Sequence, residues 1–162
     1  MSELLEFTEQ RKHRLDNIFK AFSIVAADSY VYVCDMQADV SRWSRTAVDY
    51  FNLPGEYMFN AGEIWEEHIH PEDRQYYHDN VMSLFDGSNE GHDMQYRACS
   101  RDGNYVTCTC RGVILRNEDN VPIYFCGSIF NHGVQRTYDQ VTGLCNQYGF
   151  FAELNVCIHA KQ

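Results

Sequence analysis

Cysteine and histidine are the residues of this chain whose types could carry chemistry, and their spacing narrows what that chemistry is. The seven cysteines, Cys34, Cys99, Cys108, Cys110, Cys126, Cys145 and Cys157, form an odd set with no repeating interval. That pattern gives no disulfide framework and points to reduced thiols. No C-x-x-C pair occurs, so neither a zinc ribbon nor a thioredoxin-like redox pair is expected. Cys108 and Cys110 lie two apart in a β-type run and therefore share a face with Val106 and Gly112. They read either as small core hydrophobes or as a redox-sensitive pair lining a pocket. Neighbours on one strand face are poorly placed for a disulfide. His68 and His70 form an His-x-His pair close to Glu66, Glu67 and Glu72. Imidazole and carboxylate suit zinc, nickel or iron, but the plainer reading is a polar helix start with solvated side chains. No metal set is therefore assigned. Phosphate-cradling loops and the G-x-S-x-G nucleophile turn are absent, and no spacing singles out a catalytic triad. No catalytic residue is expected.

The elements that position these residues follow from periodicity. Leu4, Leu5, Leu15, Ile18, Phe19, Phe22 and Val25 recur near helical spacing. The stripe Leu15, Ile18, Phe19 and Phe22 must be buried, either on the chain's own sheet or on a second copy as a dimerisation face. Tyr30 to Val33 read as a strand ending near Asp35, and Val40 to Trp43 as a second, short one. A short helix over Ser44 to Phe51 stops before Asn52-Leu53-Pro54-Gly55. Ile64 and Trp65 are core anchors in the mixed stretch that follows.

A longer helix starts at His70. Pro71 loses nothing by lacking an N–H in the first turn, and Glu72 and Asp73 suit the positive end of the helix dipole. Tyr77, Val81, Leu84 and Phe85 give that helix one buried face, and Gly87 ends it. Three strands follow: Met94 to Ser100, Tyr105 to Leu115 and Pro122 to Phe130. The turn Arg101-Asp102-Gly103-Asn104 joins the first two. The order predicts an α+β fold: one antiparallel five-stranded sheet with helices on one face, plus an N-terminal and a C-terminal helix. The C-terminal helix is expected within Thr142 to Ala160.

Composition limits the partners. The net charge is -10, which argues against nucleic acid and weakly against anionic membrane surfaces. Hydrophobic residues make up 44%, enough for a core, but no run approaches the roughly 20 apolar residues that span a bilayer. Met1 to Arg14 is polar and charged, unlike a secretory signal. A soluble cytoplasmic protein is the expectation.

Two stretches resemble known families. Residues 29 to 131 resemble a PAS domain of the subgroup with an HPEDR-type helix start, here His70-Pro71-Glu72-Asp73-Arg74. The hairpin Tyr96-Arg97 … Arg101-Asp102-Gly103-Asn104-Tyr105 is similar to that family's second marker. Asp139-Gln140-Val141-Thr142-Gly143-Leu144-Cys145-Asn146-Gln147-Tyr148-Gly149-Phe150 resembles the opening of a GGDEF domain, with Val141 in place of leucine and Gln147 in place of arginine. The division expected is an N-terminal helix at 1–27, a PAS-like sensor at 28–131, a connector at 132–138 and the start of a GGDEF domain at 139–162. The GG[DE]EF signature would lie past Gln162, so no catalytic residue carries over.

The PAS resemblance implies a ligand cavity between helices and sheet. Its candidate lining is Phe59, Trp65, Tyr77, Val81 and Tyr96 with Cys108, Cys110 and Phe125, although the same aromatics serve plain core packing. Some relatives bind haem through a histidine on the long helix, where His78 stands here. The flavin-adduct cysteine motif of light-sensing relatives is not found. The resemblance implies a sensory or regulatory module. It would bind a small molecule or a partner, act as a homodimer and control a cyclic di-GMP output domain. The cofactor is left open. A ligand-free dimerisation module is the alternative, and a haem or metal sensor the third reading.

Overall fold

The N-terminal helix is held at its start and along its stripe. The structure, a computed structural model, describes residues 3–134. Helix α1 (Glu9–Val25) is capped by Thr8, whose hydroxyl accepts the Arg11 N–H at 3.2 Å. Strands β1 (Tyr30–Asp35) and β2 (Val40–Trp43) form a hairpin. Next come α2 (Arg45–Phe51), β3 (Tyr57–Phe59), α3 (Ala61–His68) and α4 (Pro71–Phe85). Strands β4 (Gly91–Cys99), β5 (Tyr105–Arg116) and β6 (Pro122–Asn131) complete the sheet. The α+β class and the antiparallel sheet are as the sequence predicts. The sheet has six strands in the order β3-β2-β1-β6-β5-β4, one more than expected. The extra strand is β3, which pairs with β2 through Val40 and Phe59. Three residues are too few for a two-residue alternation to show in sequence.

Strand alternation sends successive side chains of β1 to opposite faces. Tyr32 and Cys34 point to the face covered by α3 and α4, while Val31 and Val33 meet α1. There Leu15 is fully buried with Val31, Val33, Val40 and Cys126, and Ile18, Phe19 and Phe22 pack beside them. The stripe left open between a second copy and the chain's own sheet thus covers its own sheet. Helices therefore lie on both faces. The N-terminal helix closes the second face because β1 and β2 present a valine-rich surface that needs burial.

Two polar ties fix α1 in place. Arg11 donates from Nε and Nη2 to the two carboxylate oxygens of buried Asp35, at 2.9 and 3.0 Å. Arg42 of β2 donates to Asp16 at 2.9 Å, and its guanidinium lies 4.3 Å from the Phe19 ring centroid. Among the described residues no helix is long and apolar enough to cross a membrane. By contacts the chain divides into Met1–Asn131 and His132–Gln162. The helix expected within 142–160 and the GGDEF-like stretch lie outside the described residues.

Candidate functional site

Two glycines and one tyrosine shape the floor of the site. Gly112 of β5 and Gly127 of β6 are paired across the sheet, and Tyr32 of β1 is paired with Gly127. A Cβ built on Gly127 would lie 2.1 Å from the Tyr32 hydroxyl oxygen and 2.2 Å from its Cζ. One on Gly112 would lie 2.7 Å from the same oxygen. The absent side chains let the Tyr32 ring lie across both strands. Its hydroxyl then reaches Cys110 Sγ at 3.4 Å. The ring stacks on Trp43 at 5.1 Å between centroids and meets the edge of Phe125 at 5.3 Å.

Above this floor, α3 and α4 supply a roof, with Trp65, Tyr77 and Val81 facing the sheet. A cavity of about 440 Å³ lies between them, within the roughly 300–1,000 Å³ usual for small-molecule sites. Of the eight residues singled out in sequence, Trp65, Tyr77, Val81, Cys110 and Phe125 border it. Tyr96 and Cys108 are buried behind it, with the Tyr96 hydroxyl accepting the Trp65 Nε1–H at 2.9 Å. Phe59 is not part of the cavity. It is 66% exposed, because the alternation of β3 turns Met58 inward and Phe59 outward. Tyr32, Cys34, Ser41 and Trp43 border the cavity but were not singled out. The two-residue spacing of Tyr32 and Cys34 was the available signal.

The mouth is acidic. Asp39, Glu63 and Glu66 border it, and no lysine or arginine does so among the described residues. Burial, reinforced by the charge of Glu63, raises the Asp39 pKa above its ordinary value against a backbone hydrogen bond from Asn60. Burial pushes the Cys34 thiol up to about 12 and the Cys110 thiol up to about 11. Burial also raises the pKa of the Tyr32 hydroxyl. The two thiols and the Tyr32 hydroxyl stay neutral near pH 7, and a neutral thiol is a poor nucleophile. The arrangement suits binding rather than covalent chemistry.

The histidines do not converge. His68 directs Nδ1 at the Ile64 carbonyl, 2.8 Å away, and stacks on Trp65. His70 caps α4 by accepting the Glu72 N–H at 3.2 Å, and its ring meets Tyr105. His78 stands at the cavity mouth with Nδ1 3.4 Å from Glu66. The residues after His70 join helix to sheet. Asp73 accepts three bonds from Arg97 of β4, one from its backbone N–H at 2.9 Å and two from its guanidinium at 2.9 and 2.8 Å. Arg74 donates to the carbonyls of Ile69 and Glu67 at 2.8 and 2.9 Å. These two sequence markers thus hold the roof on the floor.

Acid should loosen this closure in two stages. Burial lowers the His92 pKa to about 4, while its Nδ1 lies 2.5 Å from Asn80 Oδ1. An unfolded histidine takes up a proton near pH 6.5. Between about 6.5 and 4 the unfolded state therefore binds the extra proton, and stability falls as pH falls, by on the order of 3 kcal/mol. Arg97 holds the Asp73 carboxyl down to about 2. Its contribution is complete above the unfolded value near 4 and is lost as pH drops towards 2. Urea midpoints measured from pH 8 to 2.5 should show both declines. His92→Gln should remove the upper one and Asp73→Asn the lower.

The family described as "PAS fold" matches residues 40–129, more than half of the chain. No curated protein matches it. Solved structures give the same fold. A sensory box histidine kinase/response regulator from Burkholderia thailandensis is 16% identical with a TM-score of 0.54, over 87% of this chain and 95% of that one. The N-terminal domain of a diguanylate cyclase with PAS/PAC sensor from Marinobacter aquaeolei is 20% identical with a TM-score of 0.54, over 64% and 94%. The PAS domain of a protein from Colwellia psychrerythraea is 16% identical with a TM-score of 0.53, over 73% and 96%. The matched segment runs from β2 to β6 and takes in both the glycine floor and the helical roof, and the chain belongs to the PAS fold family.

Proposed function

We propose that this chain is the sensory part of a signalling protein, in which a small molecule held between sheet and helices controls an output domain that opens at Asp139. The observation that carries this reading is the aromatic cavity of about 440 Å³. A domain of this size that only docked partners would be expected to fill such a space with side chains. Two of the structural neighbours are described as a histidine kinase and a diguanylate cyclase sensor, which supports a signalling context. The GGDEF-like stretch at 139–150 supports a cyclic di-GMP output. The division into sensor at 28–131, connector at 132–138 and output from 139 belongs to this proposal, as does action as a homodimer.

Strand β6 is the direct route outward. It carries Phe125 at the cavity and ends at Asn131, where the connector begins. A ligand shifts the output only if it binds one arrangement of this strand and its neighbours better than another. Native mass spectrometry of the 162-residue chain, set against its denatured mass, tests the reading. The expected result is extra mass lost on denaturation and absent from a cavity-filling Val81→Trp variant. A bare native mass, with no compound from a metabolite panel shifting the melting temperature, overturns it in favour of a ligand-free docking module.

A further inference from the structure

The polar groups around the cavity have a sign, and that sign selects a ligand. At the mouth, Asp39, Glu63 and Glu66 bring three carboxylates, and the one basic partner among the described lining residues is His78, beside Glu66. Glu63 accepts an amide N–H of Asn60 at 2.6 Å, a neutral partner. A partly buried carboxylate beside a second one is costly to leave without a cation. Asp39 shows that cost as a raised pKa caused by burial and by Glu63.

The interior supplies the second observation. Trp43 borders the cavity and is 4% exposed, yet its buried Nε1–H has no partner. Trp65, in contact with it, places its own Nε1–H on Tyr96. Buried indole N–H groups are ordinarily bonded, and this unpaired donor belongs to a residue that borders the cavity. The surrounding rings of Tyr32, Trp43, Trp65 and Phe125 present faces and edges that suit an apolar or aromatic body. Their faces also attract cations.

Resting on the sensory reading, we propose that the ligand is a compact organic cation. Its ammonium group sits at the mouth against Asp39 and Glu63, its apolar body lies among the rings, and a neutral oxygen accepts from Trp43 Nε1. An anionic compound, whether a carboxylic acid, a phosphorylated flavin or the propionates of a haem, would add charge to three carboxylates with no lysine or arginine among the described lining residues to balance it.

Three probes with one ring and three charges test this: tyramine, tyrosol and 4-hydroxyphenylacetate. Each is titrated calorimetrically into the 162-residue chain at pH 7. Tyramine is expected to bind about tenfold more tightly than tyrosol, the gain expected from one partly screened charge pair, and the anion most weakly. Asp39→Asn combined with Glu63→Gln should abolish the preference, bringing tyramine down to about the affinity that the same variant shows for tyrosol. Trp43→Phe should weaken both. Equal affinities, or a preference for tyrosol or the anion that Val81→Trp abolishes, would overturn the charge assignment and leave the cavity a binding site. Failure of all three probes also overturns it. The sensory reading falls with it only if the native mass is bare as well.

Discussion

Gly127→Ala should destabilise the protein by about 3 kcal/mol, the upper end of what overpacking a closed core costs. Elsewhere in a strand this exchange would be neutral or favourable, because alanine loses less backbone entropy on folding. Here the new methyl group would lie 2.1 Å from the Tyr32 hydroxyl oxygen and 2.2 Å from Cζ. Those atoms belong to a ring held between Trp43 and Phe125 and bonded to Cys110. Tyr32 also borders the cavity, so a displaced ring should reduce binding of the proposed ligand. Equilibrium urea unfolding of Gly127→Ala, Tyr32→Ala and the double variant separates the causes. If the clash with Tyr32 is responsible, adding Gly127→Ala to Tyr32→Ala should cost under about 1 kcal/mol. A single variant as stable as the parent would show that the ring is free to move.

Arg11→Met should cost a similar amount, about 3 kcal/mol, for an unrelated reason. Asp35 is 1% exposed, and the Arg11 guanidinium is its paired cation. Without it, the carboxylate keeps only the backbone N–H groups of Gln37 and Ala38, at 3.1 and 3.2 Å. Breaking a buried pair from one side leaves an uncompensated charge, which is the costly half of the exchange. Asp35→Asn added to Arg11→Met should recover most of the loss, since the amide oxygen still accepts from the backbone. The exposed pair Arg45–Asp49 is the control. There Arg45→Ala should change stability by less than about 0.5 kcal/mol. Denaturant midpoints of the three variants decide the matter, and equal effects at Arg11 and Arg45 would refute the argument.

Local signals explain what was legible before folding. Pro71 with the acids after it announced α4, and Asp102-Gly103 announced the β4–β5 turn, where Gly103 takes a φ of 82°. Alternation placed Cys108 and Cys110 on the inner face, and both are buried there. Tyr77, Val81, Cys110 and Phe125 could be picked out because they stand on inward faces of elements long enough to show their period, and Trp65 as a large apolar anchor in a stretch with no clear period. Phe59 went the other way, since its three-residue strand shows no period, and an aromatic in sequence carries no label of inside or outside.

The amino-acid sequence by itself determined α1, α2 and α4, the long strands and their turns, because each depends on residues within a few positions of one another. The tertiary structure decided what covers each face and where the space remains. Strand β1 lies beside β6 although most of the domain separates them in the chain. That neighbourhood sets Tyr32 over Gly127, while the packing of α1 and α3 sets Arg11 against Asp35 and brings the acidic residues of the β1–β2 turn and α3 to one mouth. Such contacts arise from sheet order and from how helices pack on the sheet, which periodicity does not encode. The empty volume between floor and roof is a property of the packed whole, since no single residue specifies it.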